Sequence, residues 1–205
     1  MGRHREFDTE SALEAALSVF WKKGYKGASF GDLSEAMKVA RPGIYAAFGN
    51  KEALFLRALN LYITKYMGFM TEALEEPTSF QVVERILCGS ADIQTMISST
   101  QGCMGTNDVL AGSEDDPIKR ALLRWRAEME TALHKRLELA KDQGDLPASA
   151  NAGGLARFVM TLTQGMAVDA KAGATRDALY EVVDHALATW PGRRVDRSLV
   201  SDNVA

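Results

Sequence analysis

Chemistry-bearing residues are scarce in this sequence. Its 205 residues hold two cysteines, Cys88 and Cys103, and three histidines, His4, His134 and His185. Two cysteines make no disulfide framework in a cytosolic chain. They read either as small buried hydrophobes or as one redox- or electrophile-sensing thiol, which needs exposure and a lowered pKa. Cys103, in Gln-Gly-Cys-Met-Gly beside an expected helix start, is the better candidate of the two. The histidines are scattered and show no metal-ligand spacing with cysteines or carboxylates. A Gly-rich phosphate loop ending in Lys-Ser/Thr and a Gly-x-Ser-x-Gly elbow are both missing. The expectation is a protein that is not an enzyme, with no cofactor and no metal.

Long apolar runs are missing too. None approaches the roughly 18 residues that a membrane span needs, and residues 1–6 lack the apolar stretch of a signal peptide. A cytoplasmic protein without membrane contact is expected. Proline is scarce, at five, while hydrophobic residues are 46% and charged residues 25%, which suits a soluble globular domain. Strand-period alternation persists nowhere beyond a few residues. Ala, Leu, Glu and Lys are plentiful, so the fold class expected is all-α.

Net charge is −3, unfavourable at first sight for a partner of nucleic acid. Its distribution is uneven. Residues 1–60 carry nine Lys/Arg against seven Asp/Glu, and residues 61–205 carry fifteen against twenty. A basic end on an acidic body would aim that end at a polyanion.

The stretch 29–51 reads SFGDLSEAMKVARPGIYAAFGNK. Ser29 can cap a helix over 30–37, with Asp32 in its first turn and Leu33 and Met37 on one face. Arg41-Pro42 opens a second helix, since proline fits a first turn. Ile44 and Phe48 form its apolar side. Gly49 can end it and Asn50 can cap a third helix from Lys51. Two short helices joined by a three-to-four-residue turn have the layout of a helix-turn-helix. The spacing alone also fits two ordinary amphipathic helices in a core. In the DNA-binding reading, Gly43 and Ala46 let the backbone approach the bases. Arg41 reaches guanine or phosphate, Tyr45 a phosphate, and Lys51 another phosphate at a helix N-terminus. Arg3 and Arg5 form a short basic arm, either solvated or set against phosphates or the minor groove. The expected DNA-facing set is Arg3, Arg5, Ser29, Arg41, Pro42, Gly43, Tyr45, Ala46 and Lys51.

Residues 8–59 resemble the DNA-binding signature of the TetR family of bacterial transcription regulators. Phe20, Gly24 and Tyr25 end its first helix. Ser29, Phe30, Leu33, Ala36 and Val39 follow, then Gly43, Ile44, Tyr45 and Phe48, then Lys51, Glu52, Leu54 and Phe55. Two positions depart from the family: Pro42, where small polar residues are common, and Ala46-Ala47, where larger polar or aromatic side chains often make DNA contacts; they leave Arg41 more of the specificity.

The helical pattern continues. A first helix is expected from Asp8 or Thr9 to about 23, ended by Gly24 in a left-handed cap. A fourth is expected over 51–74, about 24 residues and ~36 Å long at ~1.5 Å per residue. Further helices are expected over 79–98, 117–143, 151–171 and up to Trp190, with a short one possible over 104–110. This divides the chain into a helix-turn-helix DNA-binding domain (1–55), a larger helical ligand-binding and dimerisation domain (56–191) and a polar tail (192–205).

One helix-turn-helix per chain implies a homodimer on a palindromic double-stranded DNA operator. The resemblance places the dimer contact on the last two helices, where Gly165, Ala167 and Ala170 permit close approach. It also implies a pocket for an unidentified small-molecule inducer. Its candidate lining is Met67, Met70, Met96, Cys103, Met104, Trp125, Met129, Phe158 and Met166, though such a stripe also suits plain core. The function expected is a ligand-responsive repressor. The alternatives are a regulator switched by oxidation or electrophile modification at Cys103, and a helical sensor module with weak DNA binding.

Overall fold

A computed structural model describes residues 7–96, 102–106, 108 and 116–192. Arg3, Arg5, residues 107, 109 and 110 of the possible helix over 104–110, and nearly all of the tail lie outside these residues. Among the described residues every regular element is a helix, nine in all.

The N-terminal unit is α1 (Thr9–Gly27), α2 (Phe30–Met37) and α3 (Arg41–Phe48). Asp8 caps α1 by accepting from Glu10 N–H at 3.0 Å. Its buried stripe of Ala12, Ala16, Leu17 and Phe20 packs on Leu33, Ile44, Leu54 and Phe55. Phe20 and Phe55 meet edge to face at 5.0 Å, a geometry that aligns positive ring edges with a negative face. Gly24 does take a positive φ, of 71°, yet it kinks α1 rather than ending it, because helical hydrogen bonding resumes to Gly27.

The turn between α2 and α3 is tight. Lys38 stands in the left-handed region at φ 53°, and the Ser34 hydroxyl donates to Val39 O at 2.6 Å. Val39 is buried beneath the turn.

α4 (Lys51–Tyr66) carries the chain into the second unit, with Asn50 accepting from Ala53 N–H at 2.8 Å. The expected single helix over 51–74 is instead two. Met67 leaves helical geometry, with ψ near 2°, and α5 (Gly68–Ala73) starts again after it. Apolar periodicity does not detect such a break, because Met67 and Met70 are buried on both sides of it.

The second unit is α5 with α6 (Ser79–Thr95), α7 (Pro117–Asp142), α8 (Ala152–Lys171) and α9 (Arg176–Ala188). Its caps are Thr78, Asp116, Asn151 and Thr175, each accepting from backbone N–H groups of its own first turn. The Arg136 guanidinium donates to Leu74 O, Glu76 O and Pro77 O, at 2.9, 2.7 and 3.2 Å. It thereby satisfies the carbonyl of the α5 cap, Leu74, and two in the segment that follows. No described helix is long and apolar enough to cross a membrane. No described group of three or more His, Cys, Asp or Glu side chains has a metal-holding arrangement.

Candidate nucleic-acid interface and the cavity behind it

α3 presents two faces. Ile44 and Phe48 are buried, while Arg41, Pro42, Tyr45 and Ala46 are exposed together on the opposite side. Steps of one and four residues place those four on one surface of a helix.

The exposed face is ordered by stacking. Phe30, at the start of α2, lies nearly parallel to Tyr45 with ring centroids 5.0 Å apart. The Arg41 guanidinium sits 4.5 Å from the Phe30 centroid and donates to the Tyr45 hydroxyl at 3.2 Å. Arg41 is therefore held by an aromatic platform, which limits the rotamers it samples. Phe30 was legible only as a core residue. At the far end of α3, Arg57 donates to Ala47 O at 3.1 Å and lies 5.0 Å from the Phe48 centroid. A cation there suits the negative helix end.

Other expected contact residues are engaged locally. Ser29 and Asp32 form a reciprocal capping box, with Asp32 N–H donating to Ser29 Oγ at 3.1 Å and Ser29 N–H to Asp32 Oδ2 at 2.9 Å. Lys23 pairs with Asp32 at 2.6 Å. The Lys23 and Ser29 bonds hold the Asp32 carboxyl well below the usual carboxylate range. At Gly43 an added Cβ would come within 2.9 Å of Val39 Cγ1. A larger residue there would push the Val39 side chain aside, so the turn favours glycine before any duplex is considered. Lys51 is half-buried at the N-terminus of α4, its ammonium 4.7 Å from the Tyr25 ring centroid. Burial lowers its pKa and the Asp108 carboxylate opposes that.

Behind this unit lies a cavity lined by Met67, Met70, Ser90, Gln94, Cys103, Trp125, Arg126, Met160, Thr163, Gln164 and Ala167. Of the expected lining, Met67, Met70, Cys103 and Trp125 are here. Met104, Met129 and Met166 are buried but are core, not lining, and Met96 and Phe158 are exposed, at 54% and 42%. Apolar spacing missed the polar wall of Gln94, Arg126, Thr163 and Gln164 because it searches for stripes of methionine and aromatics. As it stands the cavity has about 20 Å³ for a water-sized body, room for roughly one water. A wider groove of about 560 Å³ between α7 and α8 is open to solvent, and its Arg157 is already paired with Glu130 at 3.1 Å.

Gly102–Thr106 and Asp108 join cavity to reader. Trp21 Nε1 donates to Gly102 O at 2.7 Å, and Gly102 N–H donates to Gln94 O at 2.9 Å. Both Asp108 oxygens accept from Tyr25 N–H, at 3.0 and 2.9 Å, at the Gly24 kink. A Cβ on Gly24 would lie 3.1 Å from Asp108 Oδ1, so glycine serves both the positive φ and this close approach. The Tyr62 hydroxyl donates to Cys103 Sγ at 3.4 Å. Cys103 is half-buried as a residue, but burial of its sulfur pushes the thiol up. Tyr62, Arg126 and Lys171 pull it down less.

Comparison with known proteins agrees with this geometry. The family described as "Bacterial regulatory proteins, tetR family" matches residues 12–58. The HTH-type transcriptional repressor ComR of Escherichia coli K12 is 31% identical over 193 residues, which is 93% of this chain and 92% of ComR. The HTH-type transcriptional repressor BdcR of the same organism is 27% identical, over 87% of this chain and 86% of BdcR. A cysteine mutant of the TetR family transcriptional regulator CifR, solved with 26-bp double-strand operator DNA, superposes with a TM-score of 0.86 at 34% identity. That match covers 93% of this chain and all of CifR's. The chain belongs to the TetR family of helix-turn-helix transcriptional regulators.

Proposed function

We propose that this protein is a repressor that binds a palindromic operator as a homodimer and leaves it when a small molecule enters the α4–α8 cavity. The observation that carries the reading is the exposed face of α3, where Arg41 and Tyr45 stand ordered and free of core duty. ComR and BdcR are named repressors, and CifR was solved on an operator. Arg41, Tyr45 and the small Pro42-Gly43 and Ala46 positions would meet the major groove. Lys51 would swing from Tyr25 to a phosphate, and Arg3 and Arg5 would add phosphate contacts.

The dimer contact is assigned to α8 and α9. Phe158, Leu162, Gly165 and Val168 recur on one side of α8. Phe158 and Val168 are exposed, and a Cβ on Gly165 would meet nothing within 4 Å. An apolar stripe open to solvent around a glycine suits a close helix pair between two copies.

Release is assigned to Gly102–Thr106 and Asp108. A ligand that displaces Met67 or Cys103 acts on the α4–α5 break and on the bonds to Trp21 and Tyr25. A difference of about 3 kcal/mol between states alters operator affinity more than a hundredfold. The test is an electrophoretic titration on the selected operator across a salt series. A specific dimer weakens steeply with salt, because counterions released into a more concentrated solution gain less entropy. A shallow dependence with no sequence preference leaves only the helical sensor module.

A thiol-switched regulator is the second reading: Cys103 lies against Tyr62 and the cavity, but burial raises its pKa, so such a switch requires the sulfur to be uncovered first. Cys103→Ser would abolish such a response and leave a ligand response intact.

A further inference from the structure

The cavity's polar wall is incomplete. Gln94 is 3% exposed, and its Nε2 donates to Thr163 O at 2.9 Å. Turning the amide over would set two carbonyl oxygens together, so this bond fixes its orientation. Its Oε1 then has no hydrogen-bond partner among the described residues. An acceptor buried without a donor is costly, and a bound ligand can supply the donor.

Arg126 is the second unmatched group. It lines the same cavity, and its side-chain hydrogen bond among the described residues is one long contact to Gln164 Oε1, at 3.3 Å. A guanidinium has five N–H donors. None of the described residues lining the cavity is a carboxylate. The groups that face it electrostatically are the Cys103 thiol and the Tyr62 hydroxyl. Burial pushes both of their pKa values up, so both are neutral near pH 7. Lys171 faces Cys103 from α8 and adds a second positive charge nearby, partly offset by Asp108.

Taking the cavity as the inducer site of the proposed function, we infer that its ligand is a small organic anion bearing a hydrogen-bond donor. The anionic group pairs with Arg126 and the donor reaches Gln94 Oε1. Carboxylates match the guanidinium fork through two parallel bonds. The apolar remainder of the ligand lies among Met67, Met70 and Met160 and against Trp125. Methionines repack readily around irregular shapes, and the cavity opens as they move.

The test uses the purified full chain and small carboxylates, each paired with its own primary amide, at one ionic strength. Benzoate with benzamide and 3-hydroxybenzoate with 3-hydroxybenzamide are the first pairs. Thermal stabilisation and release of the selected operator are both read. The inference expects each acid to bind at least about tenfold tighter than its amide. Arg126→Gln erases that preference and Arg126→Lys keeps part of it. Gln94→Leu weakens 3-hydroxybenzoate and spares benzoate. If amides bind and release the operator as well as the acids do, the anion assignment is overturned while the inducer site stands. If no acid or amide stabilises the protein or releases the operator, the assignment falls together with the inducer site.

Discussion

Tyr25 and Asp108, 83 residues apart, are joined through the Tyr25 N–H and both Asp108 carboxylate oxygens at 3.0 and 2.9 Å. The bond ties the kink of α1 to the segment that carries Cys103, and so ties the DNA-reading unit to the wall of the cavity. Asp108 is almost wholly buried. Asp108→Ala strands the Tyr25 N–H and lowers stability by about 1–3 kcal/mol in urea unfolding. Asp108→Asn keeps one acceptor and loses less. Burial raises the Asp108 carboxyl above its ordinary 3.8. The native state therefore takes up this proton before the unfolded chain does. Wild type gains stability relative to Asp108→Asn as pH falls through the raised native pKa.

Asp32 has the opposite sign. Its carboxyl is depressed by Lys23 and Ser29, so its contribution is present above the unfolded value of 3.8 and is lost as pH falls below it. Circular dichroism during urea unfolding should show wild type more stable than Asp32→Asn at pH 6. The gap should close progressively below about pH 4. A gap that widens with acid would contradict the capping box as the source.

Phe30 holds Arg41 and Tyr45 in place. Phe30→Ala should lower operator affinity a few-fold, on the scale of an exposed cation–π contact of about 0.5–1 kcal/mol. Arg41→Ala should instead relax base preference at one position, by about 1–3 kcal/mol. Lys51→Ala should weaken all sequences alike and reduce the salt slope by about one. Competition with single-base operator variants separates these outcomes.

Gly165 tests the dimer. It is exposed, and within one chain a Cβ there meets nothing within 4 Å, so Gly165→Arg should fold normally. At a close α8–α8 contact it should clash. Sedimentation should show a monomer, and operator affinity should fall at least tenfold.

The reader was legible in the sequence because its rules are local. Ser29 and Asn50 announce helix starts at the next residue, and Ile44 and Phe48 mark the buried face of α3 by spacing alone. The α4–α5 break was not legible, since Met67 and Gly68 interrupt the backbone without interrupting the apolar pattern. The Asp108 bond and the Gln94–Arg126 wall were not legible either. They depend on groups brought together from distant helices, and a polar residue inside a core has no periodic signature. Phe158 was misassigned for a related reason: periodicity finds an apolar face but does not say which neighbour covers it.

The central claim is that this chain reads a specific duplex as a symmetric pair. The most direct measurement is selection of binding sites by the purified protein from random double-stranded DNA at near-physiological salt. The account predicts an enriched palindrome with half-sites about one helical turn apart, ~34–36 Å, and loss of preference at one symmetric pair of positions in Arg41→Ala. Enrichment of a single unrepeated half-site, or of no sequence at all, would contradict it.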